Sequence, residues 1–230
     1  MSDFHPFSAA HALTVLVCVA VGAAIITLGT RWKHSPKERA VAHAFAGFAL
    51  GVNLWSVVFW ALPAQWDIRE SLPIQLCDLA SLLVPAALLT DRRILRSLVF
   101  YWGLGLSTQA FITPTVRTGV DSEHFWLFWL VHFVIVGGAL YDFIVRGYRP
   151  TWADFRKVVA ISIAYVAVVV TLNIRLDANY GYVGNTLPQN RTIVDALGPW
   201  PWRIGVMGAI VIPVLAVLTL LGRGRRKESA

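Results

Sequence analysis

Four side chains in this 230-residue sequence are of the types from which acyl-transfer chemistry is built: Cys77, Asp78, His124 and His132. A cysteine attacks only as its thiolate. Cys77 lies near the start of an apolar run, where the positive end of a helix and its unpaired N–H groups favour an anion. His132 would take the thiol proton if the two came within hydrogen-bond reach, and Asp78, His124 or an Asn would orient its imidazole. The N–H groups of Leu76 to Asp78, or the Gln109 amide, would stabilise an oxyanion. The same residues fit a plainer arrangement, with Cys77 a small buried apolar group and His132 a hydrogen bonder between helices. One Cys and one His 55 positions apart do not decide between the two. Asp78 needs a cation or a proton in apolar surroundings, from Arg203, Arg175 or a His; a structural ion pair and an orienting role are both open. A metal would use both His residues and a carboxylate, but i, i+8 spacing sets the two about 12 Å apart along one helix. No metal and no cofactor are therefore expected.

The elements that must hold these groups are membrane-spanning. The chain is 57% apolar and 14% charged with a mean hydropathy of +0.61, against about 25% charged residues in an ordinary soluble domain. Cys18 and Cys77 form no CxxC pair and no disulfide framework. Near-continuous apolar stretches of about twenty residues, enough to cross the hydrocarbon core as helix, fall at roughly 11–29, 41–62, 73–89, 94–112, 125–145, 157–174 and 202–221. Barrel strands would alternate over about ten positions, and these runs do not. The expected fold is all-α, a single polytopic seven-helix transmembrane domain over 1–222 with a basic tail at 223–230. The leader MSDFHPFSAAH contains Asp3 and no Lys or Arg, so the first span is expected to stay in place rather than be cleaved as a signal.

Basic residues set an orientation. Fifteen of the 20 Lys and Arg fall after spans one, three, five and seven, as Arg31, Lys33, Lys37, Arg39; Arg92, Arg93, Arg96; Arg146, Arg149, Arg156, Lys157; and Arg223, Arg225, Arg226, Lys227. By the positive-inside rule the N-terminus is outside and the C-terminus cytoplasmic. The net charge of +7 then records this bias, so no nucleic-acid partner is inferred; the GRGRRK tail would at most attract anionic lipid weakly.

Orientation gives each polar residue a depth. Cys77 and Asp78 lie one turn below the outer end of span three with Gln75 above them, and His132 two turns down span five with His124 at the mouth. Gln109 and Thr113 end span four, Asn173 ends span six, and the loop residues Asn179, Tyr180 and Asn185 follow, with Arg203 at the start of span seven. Polar groups at such depth face a bundle interior. One outward-facing polar cavity is expected, with Gln75, Gln109, Thr113, Asn173, Asn179, Tyr180, Asn185 and Arg203 as binding residues. The loop 175–199 would fold back over it as a lid. It contains an NRT sequon at Asn190, meaningful only in a glycosylating cell. Pro85 and Pro213 should kink their spans, and Gly103, Gly105, Gly137 and Gly138 allow close helix approach.

Five short stretches in register, LPIQLCDLA (72–80), YWGLGLSTQAFITP (101–114), HFWLFWLVHF (124–133), NYGYVGN (179–185) and LGPWPWRI (197–204), resemble the YwaF-like integral membrane family over roughly residues 40–220. The resemblance implies a seven-helix protein, multi-pass in a bacterial plasma membrane. A vertebrate branch is regarded as an acyltransferase that moves polyunsaturated acyl chains onto lyso-ether phospholipids, with a catalytic Cys and His placed like Cys77 and His132. More distant androgen-induced lipid hydrolases use a Thr and a His, for which Thr113 is the nearest counterpart. The family often has His where this chain has Gln75, and Gln cannot act as a base. The resulting expectation is a lipid acyltransferase or thioester-forming lipid hydrolase acting on a phospholipid or acyl lipid that enters from the bilayer. Its rival is a non-catalytic lipid-binding or transport protein with the same cavity. A Cys77 sulfur within about 4 Å of a His132 nitrogen would favour the enzyme, and a separation beyond about 7 Å with no route to close it would favour the rival.

Overall fold

A computed structural model describes residues 4–185 and 192–223. Among these residues are seven α-helices and no strand: α1 (Ala9–Arg31), α2 (Pro36–Ala61), α3 (Leu76–Thr90), α4 (Arg93–Gly105), α5 (Glu123–Ile144), α6 (Trp152–Leu176) and α7 (Trp202–Gly222). The all-helical polytopic fold is as expected. Five of the helices are long and apolar enough to cross a membrane; α3, of 15 residues, is a shorter apolar helix and α4 has 13. The two short helices lie at the centre with α5, while α1 and α2 pack on one side and α6 and α7 reach the core through α4.

Two helices, α3 and α4, are shorter than the apolar runs that predict them. The third run begins at Pro73, but helix starts only at Leu76, because residues 72–75 are tied to the loop after α6. The fourth run continues to 112, yet α4 stops at Gly105 and a 3₁₀ turn, Ser107–Phe111, completes it. The Ser107 hydroxyl donates to the Trp102 carbonyl at 3.0 Å, a side-chain bond that competes with helix continuation.

Local chemistry sets several ends. Ser8 caps α1 by accepting from the His11 N–H, and Pro36 opens α2, where a missing N–H costs nothing. Thr151 and Asp154 form a reciprocal cap on α6. Pro85 inside α3 has no N–H to offer the Ser81 carbonyl one turn earlier. The Asn53 amide of α2 donates to that carbonyl at 3.2 Å, so the group left free by the proline is satisfied by a neighbouring helix.

Close approach at the centre rests on two of the four glycines above all. A Cβ at Gly138 of α5 would sit 2.5 Å from Val84 of α3, and one at Gly103 of α4 would sit 2.9 Å from the Ala139 Cβ of α5. We expect Gly138→Val to lower stability by about 1–3 kcal/mol through overpacking, seen as an earlier thermal transition in detergent; an unchanged transition would mean that α3 and α5 separate freely.

At the end of the bundle where α1, α3, α5 and α7 terminate, charged groups are paired. Arg96 holds Asp142 through Nε at 2.9 and 3.0 Å, Arg93 holds Asp154, and Arg146 reaches the Leu88 carbonyl and Asp91. The opposite end carries the cavity.

Candidate functional site

The cavity has a volume of about 1070 Å³ and is bounded by α2, α3, α5, α6, α7 and the turn after α4. Cys77, Asp78, His124 and His132 all line it, together with Gln75, Gln109 and Asn179. Thr113, Asn173, Tyr180, Asn185 and Arg203, expected as binding residues, do not. Of the expected residues, one cavity thus brings together the four chemical groups and three of the eight binding candidates.

Three of the other binding candidates, Asn173, Tyr180 and Arg203, hold the roof in place. Asn173 at the end of α6 exchanges two hydrogen bonds with the Tyr180 backbone, at 2.8 and 2.9 Å. The Tyr180 hydroxyl accepts from the Leu72 N–H and donates to the Ile68 carbonyl. Gln75, just ahead of α3, accepts from the Gly181 N–H at 2.7 Å. Arg203 is buried and binds Asp195 and the Gly184 carbonyl; it does not pair with Asp78, the partner sequence reasoning offered, because its own loop supplies a carboxylate eight residues earlier. Thr113 bonds back to the Gln109 carbonyl and Asn185 is exposed. The loop after α6 therefore lies over the cavity, with Asn179, Gly181, Tyr182 and Val183 in its lining and Thr192, Val194 and Leu197 beyond. The Asn190 sequon and most of the basic tail lie outside the described residues.

Tyr182 is held at φ 58°, a left-handed conformation that is costly for a bulky residue, directly after Gly181 at φ 63°. Burial pushes its phenol above the usual tyrosine range, while a hydrogen bond with Thr115 acts in the opposite direction. We expect Tyr180→Phe, which removes the hydroxyl from both the Leu72 and Ile68 groups, to loosen this roof. Hydrogen exchange across 179–184 and alkylation of Cys77 by a membrane-impermeant maleimide should each rise about tenfold, as for loss of one to two kcal/mol of local stability. Unchanged rates would show that the roof does not depend on this hydroxyl.

Within the cavity, Cys77 occupies the second position of α3 and His132 lies on α5, 8% exposed. The His132 Nδ1 is 2.7 Å from the Phe128 carbonyl. A carbonyl only accepts, so Nδ1 carries the hydrogen and Nε2 is left with a lone pair. The imidazole is thus oriented by its own helix backbone. Asp78 instead accepts the Gln75 N–H and caps α3, and His124 sits against Phe59 and Trp60 at ring separations of 6.5 and 5.3 Å. The Cys77 sulfur has Ser107 Oγ at 3.9 Å. Since the Ser107 hydrogen is given to Trp102, Ser107 is the acceptor for the thiol. No Cys77–His132 hydrogen bond is present among the described residues; the thiol is bonded to Ser107 instead.

Sequence reasoning missed Ser107, Tyr165 and Asn53. Tyr165 lines the cavity from α6 and donates to the Ile74 carbonyl at 2.9 Å. Each is a polar group inside an apolar run, the same signal that drew attention to His132, but a hydroxyl or amide is cheap enough in a helix to be overlooked. The apolar wall was also illegible: α7 contributes a continuous face including Ile204, Met207, Val211 and Leu215, extending to the exposed Ile210 and Val214. The cavity thus joins a polar end beneath the roof to an apolar side that reaches the outer surface of the bundle.

Compared with known proteins, residues 6–219 match a family model described as the TMEM164 family. No curated protein and no solved structure matches the chain.

Proposed function

The chain belongs to the TMEM164 family, and on that premise we propose that it is a lipid acyltransferase or thioester-forming lipid hydrolase with Cys77 as nucleophile and His132 as base. The observation that carries this reading is that Cys77, at the start of α3, and His132, with Nε2 unprotonated, line one cavity whose far side is apolar. An acyl lipid would place its chain along α7 and its ester among the polar groups. Cys77 would give its proton to His132 Nε2 while the sulfur adds to the ester carbonyl. The C–O bond then breaks, the leaving alcohol oxygen takes the proton from His132, and the acyl group is held as a thioester. Attack by a second lipid alcohol transfers the chain, and attack by water hydrolyses it; in either case His132 accepts the attacking proton and returns it to sulfur. The first-turn N–H groups of α3 would face the oxyanion. The bias of Lys and Arg to the other end of the bundle supports a cavity opening on the outer leaflet.

The hydrogen bond from Cys77 to Ser107 favours a second reading, a non-catalytic lipid-binding or transport protein, because there the thiol is simply satisfied. Trapping separates the two. Purified protein in nanodiscs containing a phospholipid with an isotopically labelled acyl chain is quenched in acid and digested. The enzyme yields the labelled acyl group on the Cys77 peptide, released by neutral hydroxylamine. Bound lipid with an unmodified Cys77 overturns the catalytic reading and leaves the binding protein.

A further inference from the structure

At the end of the bundle opposite the cavity, a second concavity of about 510 Å³ lies between the α1–α2 turn, the α3–α4 turn and the end of α5. Its wall carries Lys33, Arg39, Arg96 and Arg146 against Glu38 and Asp91, with His34 at the edge. Asp142 lies behind Arg96, and even with it counted one positive charge is in excess.

The four cations are of two kinds. Arg96 and Arg146 are 18% and 14% exposed and fixed: Arg96 by Asp142 and the Arg146 carbonyl, Arg146 by the Leu88 carbonyl and Asp91 with Glu38 at 3.9 Å. Lys33 and Arg39 are exposed and make no side-chain hydrogen bond or ion pair among the described residues. A guest entering here meets two unpartnered cations on a floor of rigid guanidinium groups. That arrangement suits a phosphate, which takes several donors at once.

We propose that this pocket binds the phosphate-bearing head group of an anionic phospholipid, as a second lipid site separate from the Cys77 cavity. Three observations select a lipid head group. The pocket opens where α1 ends and α2 begins, two helices long and apolar enough to cross a membrane, so that a bilayer they span would set its phosphates at this end. The adjoining helix sides are apolar and exposed, with Leu28 of α1 at 43% and Phe48 of α2 at 43% exposure, so acyl chains have a surface to follow. The end as a whole holds most of the Lys and Arg of the chain, the setting in which basic pockets between transmembrane helices take anionic head groups. The site does not depend on whether Cys77 is catalytic.

The test is native mass spectrometry of delipidated full-length protein in detergent, titrated with phosphatidylglycerol, with phosphatidylcholine of the same chains, and with sodium phosphate. Lys33→Gln with Arg39→Gln removes the two free cations. Arg156→Gln with Lys157→Gln removes two exposed cations of α6 at the same end but outside the pocket. The expected result is one tightly held phosphatidylglycerol in the wild type, preferred over phosphatidylcholine. Its affinity should fall roughly thirtyfold in the pocket variant, at about fivefold per cation, and stay within twofold in the α6 variant. Unchanged melting of both variants shows that the fold is intact, and Lys33→Gln alone, expected to lose about fivefold, serves if the pair does not express. Equal losses in both variants, no loss in the pocket variant, or equal binding of phosphatidylcholine would overturn the proposal. So would protection by sodium phosphate equal to that by the lipid, which would make this a free-anion site.

Discussion

In protein folded to the same extent as wild type, the proposed reaction requires that His132→Ala slow acyl transfer onto Cys77 by about a hundredfold or more, and Cys77→Ala is expected to abolish the acyl adduct. The size follows from what general-base catalysis contributes, about 10²- to 10⁴-fold, and the sign follows from the tautomer. The Phe128 carbonyl binds the Nδ1 hydrogen, so the one nitrogen free to accept a proton is Nε2, on a side chain that lines the same cavity as the thiol. Without the imidazole, Cys77 retains only Ser107, a hydroxyl already committed to Trp102 and a poor base. The experiment measures the rate of thioester formation with the labelled phospholipid, with melting temperature as the control for folding. A His132→Ala rate within threefold of wild type would show that another group takes the thiol proton, and Asp78, which lines the same cavity, would be examined next.

The second large effect is on stability. Asp142→Ala should cost about 3–5 kcal/mol, because it leaves the Arg96 guanidinium, 18% exposed, without the carboxylate that binds it at 2.9 and 3.0 Å. Asp142 itself is 3% exposed and lies where α4 and α5 meet, so water does not readily replace it. Exchanging both partners for apolar residues of similar size, Arg96→Met with Asp142→Leu, should restore most of the loss, since neither charge then has to be desolvated. Unfolding in mixed micelles with increasing denaturing detergent measures both. Equal destabilisation by the single and double variants would mean that the pair is worth more than its desolvation cost.

Long apolar runs made the helical membrane fold readable, because crossing hydrocarbon forces every backbone group into local helical bonding and leaves a contiguous signal. The first, second, fifth, sixth and seventh runs correspond to helices of 21 to 26 residues. The two runs whose helices came out short are the central ones, where Gln75 and Ser107 use their side chains to end or delay a helix. The polar cluster at the cavity end was legible as residue types at a shared depth. Its division of labour was not: Asn173, Tyr180 and Arg203 hold the roof by bonds to loop backbone, while Ser107 and Tyr165, unremarkable in their runs, lie against the Cys77 sulfur and in the cavity lining.

From its sequence alone this protein is determined to be an all-helical, multi-pass membrane protein with its basic residues concentrated between alternate spans, since hydropathy and charge are properties of composition along the chain. Tertiary structure decided which polar groups share a cavity, which nitrogen of His132 is free, that the thiol rests against Ser107, and that Lys33 and Arg39 meet Arg96 and Arg146 in a pocket. The reason is physical: a helix in lipid is apolar on most faces, so its sequence carries little record of its rotation about its own axis. That rotation is set by contacts between helices, such as Gly138 against Val84 and Asn53 on the Ser81 carbonyl, which exist only once the chain has packed.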